Sequence, residues 1–385
     1  MAVPPSKAPK NPRMPETKRN GCSCNPAPSV GHDAFQIYTE GDPLFDAMLA
    51  AIAGARHRVW METYIFADDE VGRRFAQALS ERARAGVQVR LLVDALGSLF
   101  QFYRSLGPEL EQSGVQVRHF HRWQWREPFR YNRRDHRKLL VVDNKEAFLG
   151  GFNIHRQSSR RYFGAARWRD THVSFQGTLA RQAAGLFDAF WRGDRHHPPE
   201  EDAQASSVLV TNQTLSCRRR LACIYADSLG NARESICLET PYFVPDHHTQ
   251  KVLCAAARRG VDVRLLVPRT SDVRLARWAA NAVYARLLDA GAGIFEYLPR
   301  MLHAKVAVVD GKWATLGTAN LDYRSLFQNY ELNLVSRDPG LCRRLQEQFE
   351  TDLTEASAVC ATRWRQRRWV PRLAELLGWS VRRWL

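Results

Sequence analysis

Two segments far apart in the chain carry the residues best able to do chemistry: DHRKLLVVDN at 135–144 and LHAKVAVVDG at 302–311. Each reads histidine, one residue, lysine, four residues, aspartate, and each sets cations ahead of an apolar run of the kind a covered strand needs. Arginine and lysine are rarely buried without a partner, so something must hold them. On an extended chain residues two apart share a face, which projects His136 with Lys138 and His303 with Lys305 and turns Arg137 and Ala304 the other way. Two imidazoles and two ammonium groups, without a cluster of carboxylates for a metal, suit a phosphate; no metal and no cofactor are expected. The lysines neutralise the phosphate oxygens, a neutral imidazole attacks phosphorus, and a protonated one hands its proton to the departing oxygen. A carboxylate taking the Nδ1 proton frees the other ring nitrogen to react, and the candidates are Asp170 in WRDTHV and Glu331 in NYELNLV. Asn153 and Asn320 supply amide donors for the phosphate, and Gly150, Gly151 and Gly317 let backbone approach a ligand. Asp143 and Asp310 complete the motif as candidate catalytic residues, placed to pair with a neighbouring cation and fix the turn after the strand.

These residues recur because the whole unit recurs. His136 and His303, Lys138 and Lys305, Asp143 and Asp310, Gly150 and Gly317, and Asn153 and Asn320 all stand at a constant offset of 167 residues. GVQVRLLVD at 86–94 matches GVDVRLLVP at 260–268 in seven of nine positions, and METYIFADD at 61–69 matches LETPYFVPD at 238–246. An amphipathic helix closes each half, with Leu179, Ala183, Leu186, Phe187 and Phe190 on one face in the first and Leu341, Leu345, Phe349 and Leu353 in the second. Asp338 and Pro339 open the second of these as a cap and first-turn pair. Strand-like runs alternate with helical ones in both halves, which predicts two α/β domains, each a mixed sheet flanked by helices, related by a pseudo-twofold axis that sets corresponding loops face to face. The expected divisions are a disordered leader at 1–33, domains at 34–198 and 205–360, and a basic amphipathic tail at 361–385.

The chain has 385 residues and 45% hydrophobic content, enough for two real cores. Its formal net charge of +16 points to an anionic partner: acidic lipid, nucleic acid or a phosphorylated substrate. Eight cysteines without a paired metal-type spacing read as reduced thiols, several of them buried; Cys22 and Cys24 in the Pro-rich leader have no assigned role. The leader lacks an apolar core, so it reads as neither a secretory signal nor an anchor, and no run of about 18 apolar residues follows. The tail holds seven arginines and four tryptophans, and reads either as an interfacial helix or as a helix docked on the second domain with a solvated basic face. A basic aromatic stretch at 119–138 leads into the first motif, ready to guide headgroups or to track a nucleic acid backbone. The remaining histidines, among them His119, His121, His247 and His248, read as ordinary structural groups.

The paired motifs HRKLLVVD and HAKVAVVD, followed by GGFN and GTAN, resemble the phospholipase D superfamily, over roughly residues 35 to 355. Within it the chain is most similar to the bacterial cardiolipin synthases, through YIF at 64–66, RDHRK at 134–138, WRDTHV at 168–173, TPYFVPD at 240–246 and GTANLDYRSLFQNYE at 317–331. Thr318 stands where serine is commoner in that family, and the absence of a spanning pair makes the chain more similar to the cardiolipin synthase B subgroup. The resemblance implies two phospholipase D-like domains and phosphatidyl transfer through a covalent phosphohistidine, from phosphatidylglycerol or a related phospholipid to a lipid or alcohol. It implies His136 as nucleophile, His303 as acid and base, and Asp170 and Glu331 as the orienting carboxylates. It also implies a peripheral location on the cytoplasmic side of the cell membrane, with phospholipid and an anionic membrane surface as partners; nucleic acid is disfavoured and the oligomeric state is open. A phosphodiesterase hydrolysing phospholipid or nucleic acid is the alternative, and a noncatalytic phosphate- or membrane-binding module a third reading.

Overall fold

Each apolar run becomes a strand of one of two sheets. The computed structural model describes residues 34–98, 101–121, 132–194, 205–214, 217–367, 375 and 378–380. The first half supplies β1 (Gln36–Tyr38), β2 (Arg58–Thr63), β3 (Gln88–Asp94), β4 (Gln116–Phe120), β5 (Leu139–Val142), β6 (Glu146–Gly150) and β7 (His172–Gln176). The second supplies β8 (Ser207–Thr211), β9 (Ser235–Glu239), β10 (Asp262–Pro268), β11 (Gly293–Tyr297), β12 (Val306–Val309), β13 (Trp313–Gly317), β14 (Leu332–Ser336) and β15 (Ala356–Ala358). The sheet orders, β1-β7-β6-β5-β2-β3-β4 and β8-β14-β13-β12-β9-β10-β11-β15, are the same plan with one added edge strand. Both are mixed: β2-β3-β4 and β9-β10-β11 run parallel, and the strands carrying the motifs lie antiparallel to β2 and β9. The glycines at 86 and 260, both at positive φ, end the helices Glu70–Arg84 and His247–Arg258 just before β3 and β10, at the matched positions of the repeat.

Alternation along the motif strands divides the cores. Leu139 and Val141 face an inner core shared by both halves, while Leu140 and Val142 face an outer core with the helices Gly41–Gly54 and Glu70–Arg84. Val306 and Val308 face the same inner core from the second half. Between the sheets lie the two helices anticipated from sequence, Thr178–Arg192 and Pro339–Thr354, whose apolar faces are buried there, and Asp338 caps the second by accepting from the Leu341 N–H at 2.7 Å. The two domains are thus fused through one core.

The arginines find their partners in this interface. Arg137, fully buried, lies 3.2 Å from Glu62, donates to Gln213 of the second half at 3.2 Å and stacks its guanidinium over Phe190. Arg169 crosses in the opposite sense: it forms a bidentate pair with Asp352 and donates to the Asp170 carbonyl and, at 2.9 Å, to Thr171 Oγ1. Burial raises Glu239 to about 8, against the pull of Arg169.

No helix among the described residues is long and apolar enough to cross a membrane. The described part of the tail docks on the second half: Trp364 packs against Tyr284 beneath Arg367, and Trp379 lies edge-on to His247. The leader, residues 122–131 of the basic aromatic stretch, most of the junction with the boundary expected at 198, and the rest of the tail lie outside the described residues.

Replacing Arg169 with alanine strands Asp352 without its cation in the interface, and a loss of about 3–5 kcal/mol is expected. Urea unfolding monitored by tryptophan fluorescence measures it; a loss below about 1 kcal/mol contradicts the clamp.

Candidate active site

The catalytic motifs do not begin on the strands, as their alternation implied, but in extended segments just ahead of β5 and β12, and these segments reach across to the other half. Asp135 bridges to Tyr330, with the His136 N–H donating to the Tyr330 carbonyl at 3.0 Å and the Tyr330 N–H to the Arg134 carbonyl at 2.9 Å. Leu302 bridges to Arg169 in the same way, with the His303 N–H donating to the Arg169 carbonyl at 2.6 Å. Each motif is therefore hydrogen-bonded to the residue preceding the other half's carboxylate.

That exchange sets the pairing. His136 Nδ1 lies 3.0 and 3.1 Å from the two carboxylate oxygens of Glu331, and His303 Nδ1 lies 2.5 Å from Asp170 Oδ2. Both predicted carboxylates are present, and each serves the histidine of the opposite half. Glu331 is held in turn by Thr318 Oγ1 at 2.5 Å and, at its own N–H, by Asn212 at 2.9 Å; Asp170 Oδ1 accepts from the Thr171 N–H at 2.7 Å. The hydroxyl at 318 is thus a ligand of the orienting carboxylate. Its counterpart is Gly151, where a Cβ would fall 2.0 Å from Asp170 Oδ1. The sequence reading gave these glycines to a ligand; they make room for the adjacent backbone and side chains of the same sheet instead, since a Cβ at Gly317 would meet the Leu332 carbonyl at 2.4 Å.

His136 and His303 line one cavity of about 260 Å³, with Asn153 and Asn320 beside them. Asn153 is fixed by accepting from the Ile65 N–H at 3.1 Å. The lysines stand behind: Lys138 donates to the His136 carbonyl at 2.7 Å, while Lys305 donates to the His303 carbonyl and lies 2.7 Å from its Nδ1 and 3.6 Å from Asp170. Burial lowers Lys138 to about 7, with Glu331 opposing and Lys305 assisting, and burial lowers Lys305 to about 8 against the pull of Asp170 and Glu331. Burial, then Lys305, lowers His303 to about 3 although Asp170 opposes them; burial also lowers His136, with Glu331 opposing. Asp170 goes the other way: burial alone would raise it, but Lys305 and His303 together hold it at about 2. Both lysines and both histidines are thus held below their ordinary values, a balance that a negatively charged ligand would reverse.

Asp143 and Asp310 are not in this cavity, and the structure does not support placing them with the catalytic groups. Five residues of extended chain carry each about 16 Å from its lysine. Asp143 accepts from the backbone N–H groups of Arg56, His57 and Arg58 at 2.8–2.9 Å, and Asp310 from those of Arg233, Glu234 and Ser235 at 2.8–3.2 Å. They tie the far end of each motif strand to the start of β2 or β9, in place of the cation pair expected.

Sequence reasoning quoted the segments but missed the roles of Tyr64, Tyr242 and Trp168, which also line the cavity. Tyr64 is edge-on to His136 at 5.1 Å, and Trp168 lies 5.1 Å from His303. Their signal was proximity in sequence: Tyr64 and Tyr242 sit in the second repeated stretch, and Trp168 is two residues from Asp170.

Comparison with known proteins agrees with this geometry. The family model described as "Cardiolipin synthase, PLD-like domain" matches residues 48–191 and 225–353. Cardiolipin synthase 2 of Bacillus anthracis is 36% identical over 358 residues, 88% of this chain and 68% of that protein. A cardiolipin synthase of Clostridium perfringens is 31% identical over 357 residues, 89% and 75% of the two chains. Among solved structures, phosphatidylserine synthase of Haemophilus influenzae matches with a TM-score of 0.69 at 10% identity, covering 91% of this chain and 95% of that one, a likeness of fold. The chain belongs to the cardiolipin synthase family of PLD-like proteins and is a phosphatidyltransferase of the phospholipase D superfamily.

Because Asp143 anchors backbone, Asp143→Ala is expected to cost about 1.5–3 kcal/mol of stability while leaving the cavity groups in place. Burial would raise its pKa, but the three N–H donors outweigh that and hold it below the ordinary range. Its contribution is therefore present above about pH 4 and lost as pH falls through the depressed value. Unfolding curves at pH 7 and pH 3 should show the two proteins converging in acid; an equal gap at both contradicts the anchoring role.

Proposed function

We propose that this chain transfers a phosphatidyl group from phosphatidylglycerol or a related phospholipid to a lipid or alcohol acceptor, through a phosphohistidine. The observation that carries this reading is the crossed arrangement: two imidazoles, each with its Nδ1 on a carboxylate from the other half, around one cavity backed by two ammonium groups. With Nδ1–H donated to the carboxylate, Nε2 of each ring is the atom left for chemistry.

His136 Nε2 attacks phosphorus, the bond from phosphorus to the leaving alcohol oxygen breaks, and His303 Nε2–H delivers the proton to that oxygen. His303 then takes the proton of the acceptor hydroxyl, whose oxygen attacks phosphorus and releases His136. The order of the two histidines follows the family resemblance. His303 starts neutral, so it takes up from solvent, as the substrate binds, the proton it later delivers; the negative charge of the phosphodiester raises its affinity for that proton. Lys138 and Lys305 stabilise the charge that develops on the non-bridging oxygens. The phospholipid comes from the cytoplasmic face of an anionic membrane, and the excess of basic residues favours that surface.

Vesicles of labelled phosphatidylglycerol mixed with the purified chain test this. The expected products, read by mass, are a cardiolipin-type lipid and glycerol. Phosphatidic acid alone establishes the hydrolytic alternative, and no turnover removes both. His303→Asn is expected to retain phosphorus on His136, and His136→Asn to retain none; label held on His303 instead reverses the roles.

The lysines also give a pH dependence. As pH rises through about 7 to 8 the unliganded site loses positive charge, so kcat/KM for an anionic phosphodiester is expected to fall on that limb. A profile flat from pH 6 to 9 contradicts the assigned charge states.

A further inference from the structure

The catalytic floor of the cavity obeys the pseudo-twofold relation, but its walls do not. At the positions after the repeated asparagine, the first half carries His155 and Ser158 and then Trp168, two residues before Asp170; the second carries Asp322 and Ser325 and then Asn329, two residues before Glu331. In the first half only Trp168 of these lines the cavity, an aromatic surface against His303 with His155 edge-on to it at 5.3 Å. In the second half they build a polar one, and Asn320, Asp322, Ser325 and Asn329 all line the cavity.

The polar wall carries buried atoms with nothing to bond. Asn320 is 5% exposed, Ser325 1% and Asn329 7%, yet Asn320 Oδ1, Ser325 Oγ and Asn329 Oδ1 have no hydrogen-bond partner among the described residues. Asn153, the first-half counterpart of Asn320, has its Oδ1 satisfied by Ile65. Buried polar groups are nearly always paired, so three open ones around one cavity point to a ligand that pairs them. Asp322 adds a carboxyl that also caps the helix Tyr323–Phe327 by accepting from the Ser325 N–H at 2.7 Å.

We infer that Asn320, Ser325 and Asn329 form a subsite for the hydroxyl groups of a polyol, so that the cavity selects a glycerol-like headgroup over a simple alcohol. Hydroxyls fit because each both donates and accepts, and so answers an amide turned either way as well as a serine hydroxyl. A cationic amine headgroup offers only donors and would leave the serine hydroxyl without an acceptor, and an apolar alcohol would leave all three atoms open. Rejection of a ligand that lacks the hydroxyl follows from the atoms it would leave unpaired. The inference rests on the transfer reading and deepens it by naming the residues that hold the hydroxyls of the alcohol that leaves and enters.

Two measurements on the full chain test it. In the first, phosphatidylglycerol vesicles are offered glycerol and 1-propanol in competition, and the ratio of the two transfer products is read. A preference for glycerol of about tenfold or more is expected, falling at least about fivefold in Ser325→Ala and in Asn329→Leu. A ratio that stays constant in both variants, whether or not total turnover drops, overturns the subsite, since a merely structural role lowers both products together. In the second, the His303→Ala chain is titrated by calorimetry with glycerophosphoglycerol and with glycerophosphopropanol. Tighter binding of the first, lost when Asn329→Leu is added, supports the subsite, and equal binding of the two overturns it. Absence of any transfer product in the first measurement refutes phosphatidyl transfer but leaves the second to decide the subsite.

Discussion

The site depends on a crossing: each histidine is oriented by a carboxylate that belongs to the other half of the chain. His136 cannot be set without Glu331, nor His303 without Asp170, so neither half contains a complete catalytic group. The rest of the architecture follows from keeping that exchange in register. Backbone bonds join each motif to the residue before the opposite carboxylate, the helices Thr178–Arg192 and Pro339–Thr354 fill the shared core, and Arg137 and Arg169 pin the interface from either side. Buried arginines contribute little net stability once desolvation is counted, but a mispaired interface would strand their charge, which makes them suited to fixing one arrangement.

Two sides of the cavity have diverged under this common frame. The groups that touch phosphorus in the proposed chemistry are duplicated, because an in-line exchange needs matched groups on opposite faces of the phosphate. The walls carry no such demand. One half has therefore kept aromatic surface around His303 and the other has gathered amides and hydroxyls. The same asymmetry appears at the carboxylates, where Gly151 leaves room for Asp170 while Thr318 bonds Glu331.

Much of this was legible in the sequence. The constant offset of 167 residues exposed the repeat, and the candidates Asp170 and Glu331, read from the segments around it, lie on His303 and His136. Alternation sent Arg137 away from His136, to Glu62, although these residues precede the strand. What could not be read was pairing over long separations: nothing local says that His136 meets a residue 195 positions away. The motif aspartates misled for a geometric reason, since sequence proximity along a strand becomes distance in space and their conspicuous spacing served β2 and β9. The polar wall escaped notice because it lies where the halves differ, and a search for repetition passes over such residues. Of the two readings of the tail, Trp364 and Trp379 fit the docked one.

The central claim is that the two halves grip a single phosphorus between their imidazoles. Crystals of the protein soaked in vanadate or tungstate address it directly, because these oxyanions mimic a phosphoryl group in transfer and scatter strongly. The account predicts one oxyanion per chain, bonded to one imidazole, facing the other, and contacted by both lysines. Two oxyanions, one on each half, or a single one reached by the histidine and lysine of only one half, would contradict it.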